Sequence, residues 1–443
     1  MRNKAKDIVK KLQDNGFEAY FAGGAVRDLL LNKSPKDIDI VSSAHPEQIE
    51  NLFPKNYPIG KQFGIILVNI DNTNFEVATF RSEDSYEDNR RPSKVVFSDA
   101  KSDALRRDFT INGIFYDPIK NKFIDYVGGE EDVKKRVINF IGDAQERIDE
   151  DSLRLVRAIR FKITLGFQYG ANTFEAIRKS AGYIKNVSKE RLRDELKKIL
   201  SSPFRHIGLV ELSESGILKY LLPEIELLKG VPQPVEYHHE GDVFTHTYLA
   251  LKSLREDASE HVAWAVLLHD IAKPQTLIRE GERIIFHDHA KESAKLSIDI
   301  MNRLKFSNIE KETIAWLIGN HMKIGDIDKM RPSKRLNFVL DPRFPDLIKV
   351  ANADAQGTYP VNTSLVQKLK QDLENAISWK TKNVEKQKNI VSGDDIVKLG
   401  IEPSKIVEVI IEDVSDKYIA GELSDKDAAI EYIKDKYIKN ENI

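Results

Sequence analysis

Two groups of residues in this 443-residue chain have the types and spacing to do chemistry. The first begins at Gly23-Gly24, between an apolar run and the helix-like segment AVRDLLL. Glycine permits close backbone approach and positive φ, and a helix start offers free N–H groups to phosphate; Arg27 lies one turn further on. Thirteen residues after Gly24 stands DIDI. In a strand, positions i and i+2 share a face, so Asp37 and Asp39 point one way and Ile38 and Ile40 the other. Two carboxylates on one face repel unless a cation separates them, and a hard divalent ion such as Mg²⁺ takes carboxylate and phosphate oxygens. The plain alternative is the solvated face of an edge strand. Glu76, between Phe75 and Val77 in FEVATFR, either completes such a site, orients an aspartate or faces solvent.

The second group is histidine-rich. Most of the ten histidines fall within 238–289. HHEGDVFTHT carries His246, HVAWAVLLHDIAK ends an apolar helical run on His269-Asp270, and FHDHAKESA carries His287 and His289. His321 and Asp354 follow in NHMK and ANADAQGT. A lone histidine is usually a packed or surface residue, but an adjacent His-Asp after a buried helix is harder to explain by packing. Imidazole and carboxylate together suit Mn²⁺, Fe, Ni²⁺, Co²⁺ or Zn²⁺.

The elements that must hold these residues are of two kinds. Up to about residue 140 a helix over 4–15 (apolar Ala5, Ile8, Val9 and Leu12) is followed by strand-like runs EAYFAGG, DIDIVSS, GIILVNID, FEVATFR and FIDYVGG. The polar stretch 83–104 reads as a loop between strand and helix. Beyond about 143 strand signals nearly vanish, and 151–165, 189–200, 244–256, 260–273, 289–304 and 310–321 read as helices punctuated by prolines. The tail 375–443 is charged and helical. Composition is that of a globular protein, 41% hydrophobic and 31% charged, without cysteine, which excludes disulfides, thiolate zinc sites and a cysteine nucleophile. The formal charge of −2 gives no global claim on nucleic acid and leaves only local basic faces. No stretch has the roughly 20 apolar residues that span a bilayer, and the first residues lack a signal peptide's apolar core, so a cytoplasmic protein without membrane contact is expected.

GGAVRDLLL, KDIDIVSS, EVATFR, YEDNRRPSKVVF and LRRDFTINGIFYD occur in the order seen in the class II CCA-adding enzyme and bacterial poly(A) polymerase family, which the chain resembles over residues 18–220. The resemblance implies an α+β fold. A polymerase-β-like nucleotidyltransferase mixed sheet (1–140) leads into an all-α neck and body (141–230), then an α-helical HD domain (231–358) and a helical tail (359–443). It implies Mg²⁺ on Asp37 and Asp39, and a nucleotide-binding role for RRDFTIN as a whole, including Asn112; by donor and acceptor type Arg107 suits triphosphate oxygens and Asp108 a ribose hydroxyl, though spacing does not fix these individual roles. The loop containing Tyr86, Asp88, Arg90, Arg91 and Pro92 looks like the flexible loop of enzymes that add all three nucleotides.

In IDEDSLRLVRAIRF, read as continuous helix, Asp151 and Arg154 are neighbours that form a surface ion pair on the plain reading. A carboxylate only accepts and a guanidinium only donates. The pairing edges of cytosine and adenine offer an amine donor beside a ring-nitrogen acceptor, whereas uracil and guanine offer a carbonyl and a ring N–H. Such a pair would accept C and A and reject U and G. It matches the family's EDxxR motif (Glu150, Asp151, Arg154), which implies that protein side chains template CTP and ATP. Arg157 and Arg160 extend the basic edge toward the phosphates. KERLRDELKKILSS, 189–202, suggests a mixed structural and tRNA-contacting helix.

The order H…HD…D resembles the HD-domain metal phosphohydrolases, with His246, His269, Asp270 and Asp354 as ligands and His289 and His321 for a second metal or a phosphate. The expected activity is addition of C, C and A to tRNA, with phosphohydrolysis at the HD site. Poly(A) polymerase, A-adding and CC-adding activity are the alternatives within the family, and an HD phosphohydrolase with a merely RNA-binding first half is the rival outside it. Residues 391–424 resemble the family's C-terminal element, with Ser404 where a glycine is usual.

Overall fold

A computed structural model describes residues 1–86, 92–234, 236, 238–281, 283–382 and 390–438. It divides into two compact units, Met1–Glu226 and Leu227–Ile443.

The first unit opens with α1 (Arg2–Asp14), which buries the predicted stripe of Ala5, Ile8, Val9 and Leu12. Its sheet contains β1 (Ala19–Ala22), β2 (Asp39–Ser42), β3 (Asn56–Tyr57), β4 (Ile65–Ile70) and β5 (Thr73–Thr79). The strands β6 (Arg81–Tyr86) and β7 (Pro92–Phe97) stand apart as a hairpin, and β8 (Ile114–Asp117) and β9 (Lys122–Asp125) complete the sheet. The order is β3-β4-β5-β2-β1-β8-β9. Only β2 and β5 run parallel; the other neighbours are antiparallel. α2 (Gly24–Leu30), α3 (Pro46–Leu52) and α4 (Ala100–Leu105) connect these strands, and α5 (Gly129–Lys135) follows the last of them. Helices then take over: α6 (Ala144–Glu150), α7 (Arg154–Leu165), α8 (Thr173–Lys179), α9 (Lys189–Leu200), α10 (Arg205–Glu214), α11 (Leu218–Leu221) and α12 (Pro223–Glu226).

Two expectations need correction here. The stretch 83–104 is largely structured: β6 and β7 pair antiparallel from Arg81↔Phe97 to Tyr86↔Pro92, and α4 follows. Its polar composition masks the strands, yet the β-branched pair Val95-Val96 was a usable signal. Asp88, Arg90 and Arg91 of the expected loop lie outside the described residues. The helix expected over 148–161 is broken: α6 ends at Glu150, Asp151 is extended (φ −151°, ψ 99°), and α7 starts at Arg154.

The second unit contains α13 (Val243–Ser253), α14 (Glu260–Leu268), α15 (Lys273–Thr276), α16 (His289–Arg303), α17 (Asn308–Asn320), α18 (Pro332–Val339) and α19 (Phe344–Gly357). α14 is its axis, with Val262 to Leu268 all buried. Between α15 and α16 lies a hairpin, Leu277–Glu280 with Arg283–Phe286, that the helical pattern did not announce. The tail adds α20 (Ser364–Lys382), α21 (Gly393–Lys398), α22 (Lys405–Ile419) and α23 (Lys426–Ile433). Among the described residues no helix is long and apolar enough to cross a membrane.

Candidate active site and metal centre

In the first unit the start of β2, the α2 start, the turn after α4 and the α6–α7 junction face one cleft of about 900 Å³. Alternation continues through 37–40, with Ile38 and Ile40 buried in the core and Asp37 and Asp39 on the opposite, accessible side, where the walls of the cleft still screen Asp39 from bulk water. Asp37 precedes the strand instead of lying in it, but both acids line the cleft. Gly23 has φ +66°, and a Cβ there would come within 3.5 Å of Asp39 Oδ2 and 3.8 Å of Arg107 Nη1. Those are ordinary contacts, so it is the positive φ of the turn that calls for glycine. Burial in the cleft pushes the Asp39 carboxyl up; Glu76 and Asp37 add to this, and Arg107 opposes it. Glu76 stays exposed on β5, opposite Leu67, and touches the site through its field without lining the cleft.

Arginines form the facing wall, each held by a second residue. Arg27 Nη1 donates to Asn112 Oδ1 (2.8 Å), and Asn112 Nδ2 donates to Asp108 Oδ1 (3.0 Å). Arg157 donates to Asp108 Oδ2 through Nε (2.8 Å) and Nη2 (2.5 Å). Burial alone would raise Asp108, but Arg157 and Asn112 hold its carboxyl down at about 2. Arg160 pairs with Glu195 at 2.6 Å and lies over the Phe161 ring. Arg106 and Arg107 fork onto Asp103, a fully buried carboxylate of α4.

Asp151 and Arg154 both line the cleft, but they do not pair with each other. Arg154 Nη1 donates to Glu150 Oε2 (2.5 Å) and to the Arg147 carbonyl (2.8 Å), and Nη2 donates to the Arg106 carbonyl (3.0 Å). Glu150 also pairs with Arg147 at 2.5 Å. Asp151 is gripped by Arg191 of α9. The helix break explains the exchange, because outside a helix the i, i+3 neighbourhood no longer holds. Sequence reasoning missed Asp103 and Glu195. The signal was an acid three and four residues before Arg106-Arg107, and an acid one turn after Arg191.

In the second unit α13, α14, α16, α17 and α19 bring His246, His269, Asp270, His289, His321 and Asp354 together. His246, His269 and Asp354 present ligand atoms within 4.8 Å of one another, as do Asp270, His289 and His321. Nδ1 of His269, His289 and His321 each bonds a carbonyl three residues back, Val266 (2.8 Å), Phe286 (3.3 Å) and Ile318 (2.7 Å). Nδ1 thus carries the proton, and the Nε2 lone pair turns inward. His246 differs: its Nδ1 stands 3.3 Å from Glu240 Oε1 without the geometry of a hydrogen bond. Nε2 of His246 and Nε2 of His269 then face each other at 3.2 Å. At that distance either a proton on one of the two rings or a cation beside them must separate the nitrogens.

The carboxylates make the same demand. Asp354 Oδ1 is 3.1 Å from His246 Nε2, and both Asp270 oxygens are buried without a well-formed hydrogen bond, although Lys273 Nζ stands 2.7 Å from one of them. Burial would raise Asp270 and Asp354, yet the surrounding imidazoles and Lys273 hold them well below the carboxylate range. Burial would lower His269, but Asp270 and Asp354 push it up to about 10. Burial, reinforced by His269, keeps His321 down at about 4, so it stays neutral. The donor set fits a divalent cation, which would supply the missing positive charge. The adjoining cavity, about 810 Å³, is lined also by His238, Lys273 and Arg283. His238 and Glu240, 2.6 Å apart, were not singled out from the sequence.

Residues 19–139 match the poly A polymerase head domain, 166–228 the probable RNA and SrmB-binding site of polymerase A, and 237–355 the HD domain. The chain is 33% identical to the CCA-adding enzyme of Staphylococcus haemolyticus over 401 residues, 86% of this chain and 98% of that protein. The chain belongs to the CCA-adding enzyme family. Several relatives match over only about half of the chain, at higher identity. With the CCA-adding enzyme of Geobacillus sp. strain WCH70 it shares 46% identity over 219 residues, 49% of this chain and about half (54%) of the relative. The family fold extends over the whole chain. The crystal structure of the Bacillus stearothermophilus CCA-adding enzyme in complex with CTP superposes with a TM-score of 0.74 at 24% identity, covering 99% of this chain and 98% of that one. The Thermotoga maritima CCA-adding enzyme complexed with tRNA gives 0.61 at 21% identity, covering 97% and 94%. A mixed sheet with helices followed by a helical body carrying an HD domain is the architecture expected from the sequence.

Proposed function

We propose that this chain adds C, C and A from CTP and ATP to the 3′ end of tRNA, releasing pyrophosphate. One observation carries the reading: a pair of acids, an arginine wall, Asp151 and Arg154 share a single cleft. Family membership supports it, as do the CTP and tRNA named for the related structures. Asp37 and Asp39 would hold Mg²⁺, with Glu76 shaping the field behind them. That ion would lower the pKa of the attacking hydroxyl and stabilise the leaving oxygen. Arg27, Arg107, Arg157 and Arg160 would align the triphosphate near Gly23 and Gly24, while Asp108 and Asn112 border the ribose. Asp108 is already committed to Arg157 and Asn112, so its first task is to hold the arginine, and a sugar hydroxyl meets what acceptor capacity remains. Asp151 would accept from the amine of C or A, and Arg154, braced by Glu150, would donate to the ring nitrogen. Positioning and charge carry the rate.

In the second unit His246, His269, Asp270 and Asp354 would hold a divalent transition metal (Mn, Ni, Co, Fe or Zn), with His289 and His321 offering a second metal or phosphate position. Lys273 and Arg283 border the same cavity, which suits hydrolysis of a cyclic or terminal phosphate. The reading divides the chain at about residues 140, 230 and 358, gives the tail a tRNA contact and places the work in the cytoplasm.

The test is incorporation on tRNA ending at the discriminator base, supplied with CTP alone, ATP alone or both. Two C residues from CTP and one further A when both are present are expected. A long A tract from ATP alone points to poly(A) synthesis, two C residues and no A to a CC-adding enzyme, and A added only to tRNA already ending in CC to an A-adding enzyme. No incorporation together with metal-dependent phosphate release leaves the hydrolase alone.

A further inference from the structure

Most side chains lining the cleft of the first unit are charged or polar. Phe63 and Ile65 are different, and both come from the turn that leads into β4. The other apolar side chain of the lining, Phe161, is buried and already faces the guanidiniums of Arg27, Arg157 and Arg160. Phe63 is half-buried and stands on a short turn, Lys61–Phe63, that is fixed at both ends. Gly60 and Gly64 flank it with φ +105° and +77°, a left-handed conformation that glycine adopts without strain. The Phe63 N–H donates to the Gly60 carbonyl (2.7 Å), and the Thr79 N–H of β5 donates to the Gly64 carbonyl (2.8 Å). Arg81 Nη1 donates to the Phe63 carbonyl at 2.7 Å, and the Arg81 carbonyl accepts from Arg106 Nε at 2.9 Å. The turn that carries the ring is thus tied to the arginine wall.

Its place in the sheet gives the ring a side. β2, which carries Asp39, lies between β5 and β1. Gly23, Arg27 and Arg107, which would align the triphosphate, come from segments that follow β1 and precede β8. Phe63 and Ile65 come from the other side of the acids, where β4 pairs with β5. In phosphoryl transfer the attacking and leaving oxygens lie roughly in line through phosphorus. With pyrophosphate leaving on the β1–β8 side, the attacking hydroxyl must arrive from the β5–β4 side. We infer that Phe63 is a stacking platform for the last base of the tRNA, the nucleotide whose ribose carries the attacking hydroxyl. This rests on the nucleotide-adding reading above. That last base changes at every step: first the discriminator base, then C, then a second C. Hydrogen bonds to a base edge would have to change with it, whereas an aromatic ring accepts each in turn, because every base has a π-face.

The experiment follows addition of one C at saturating CTP to two forms of the same tRNA, one intact and one abasic at its last nucleotide. Wild type, Phe63→Leu and Phe63→Tyr are compared, and the CTP Kd is measured separately without tRNA. Removing the base should cost wild type about tenfold in kcat/KM for tRNA. Phe63→Leu keeps apolar bulk but has no ring face; it should show a similar loss on intact tRNA and lose little more on the abasic form. Phe63→Tyr should restore most of the activity, and the CTP Kd should stay within about twofold in both variants. Equal wild-type activity on intact and abasic tRNA overturns the inference with no variant needed, so a variant that fails to fold leaves the test intact. An abasic penalty that persists undiminished in Phe63→Leu assigns the base to another partner and overturns it. A raised CTP Kd in Phe63→Leu places the ring under the incoming nucleotide and overturns it equally. Wild type on intact tRNA separates the two levels: failure to add C defeats the proposed function, whereas normal addition without an abasic penalty defeats only the role of Phe63.

Discussion

Asp103 allows the arginine wall to be tested from behind. It is fully buried, and five donors converge on it. Oδ1 accepts from Arg106 Nε (3.0 Å), Arg106 Nη2 (2.6 Å) and the Arg81 backbone N–H (3.3 Å); Oδ2 accepts from Arg107 Nε (3.2 Å) and Nη2 (3.0 Å). Burial alone would raise its carboxyl, but Arg107 and Arg106 outweigh that and hold it below the usual range. Asp103→Asn keeps the shape, removes the charge and turns an NH₂ toward one guanidinium. Breaking a buried pair costs about 3–5 kcal/mol. Both arginine side chains retain some exposure (19% and 17%), so water can take over part of the solvation and the lower end applies, about 3 kcal/mol. For a unit running from Met1 to Glu226 that corresponds to a drop in Tm of roughly 6–12 °C. Arg107, which also donates to the Asn112 carbonyl at 3.2 Å, would lose its main anchor, and the CTP KM should rise. Calorimetry of the full chain and CTP kinetics read both effects. A Tm loss under about 2 °C with an unchanged CTP KM would refute the claim that Asp103 anchors the wall.

Replacing Asp39 by Ala should abolish nucleotide incorporation while nucleotide binding, followed by equilibrium titration, changes little; full activity would remove this acid from the metal site. Asp108 makes stability depend on pH. Its folded value of about 2 lies below the unfolded value of about 3.9, so its contribution of roughly 2–3 kcal/mol is complete above about pH 5 and is lost as pH falls toward 2. Urea midpoints at pH 6, 4 and 3 should show that loss, and an Asp108→Asn variant should lack this component of it. In the second unit, Mn²⁺ or Ni²⁺ at a hundred times its Kd should stabilise metal-stripped protein by about 2.7 kcal/mol, visible as a raised Tm, and His246→Ala should remove most of that shift and the bound metal found by elemental analysis.

The sheet and its acids were legible because alternation is a local pattern. Ile38 and Ile40 had to go inward, and Asp37 and Asp39 outward, whatever else the chain did. The stripe of α1 was equally plain. The hairpin of β6 and β7 was hidden by its polar composition. The pairing inside the cleft was not legible, because it joins residues far apart in sequence. Asp108 meets Arg157 and Asp151 meets Arg191 only after the α6–α7 break has turned the chain. Local spacing suggested an Asp151–Arg154 pair, and tertiary contacts displaced it. The histidines of the second unit could be named from the sequence, but not the carbonyls that set their tautomers, since a backbone oxygen leaves no trace in residue identity.

Those carbonyls have a consequence of their own. His269 and His321 each follow the last residue of a helix and take their orientation from the final turn, not from a neighbouring side chain. No substitution can delete such a partner. The aim of these rings is therefore inherited from helix integrity: it survives changes among surrounding residues and disappears when the last turn of α14 or α17 frays. On the proposed metal-binding reading, ion capture and local melting in this unit would be two faces of one equilibrium, and whatever loosens those helix ends would also weaken the hold on an ion.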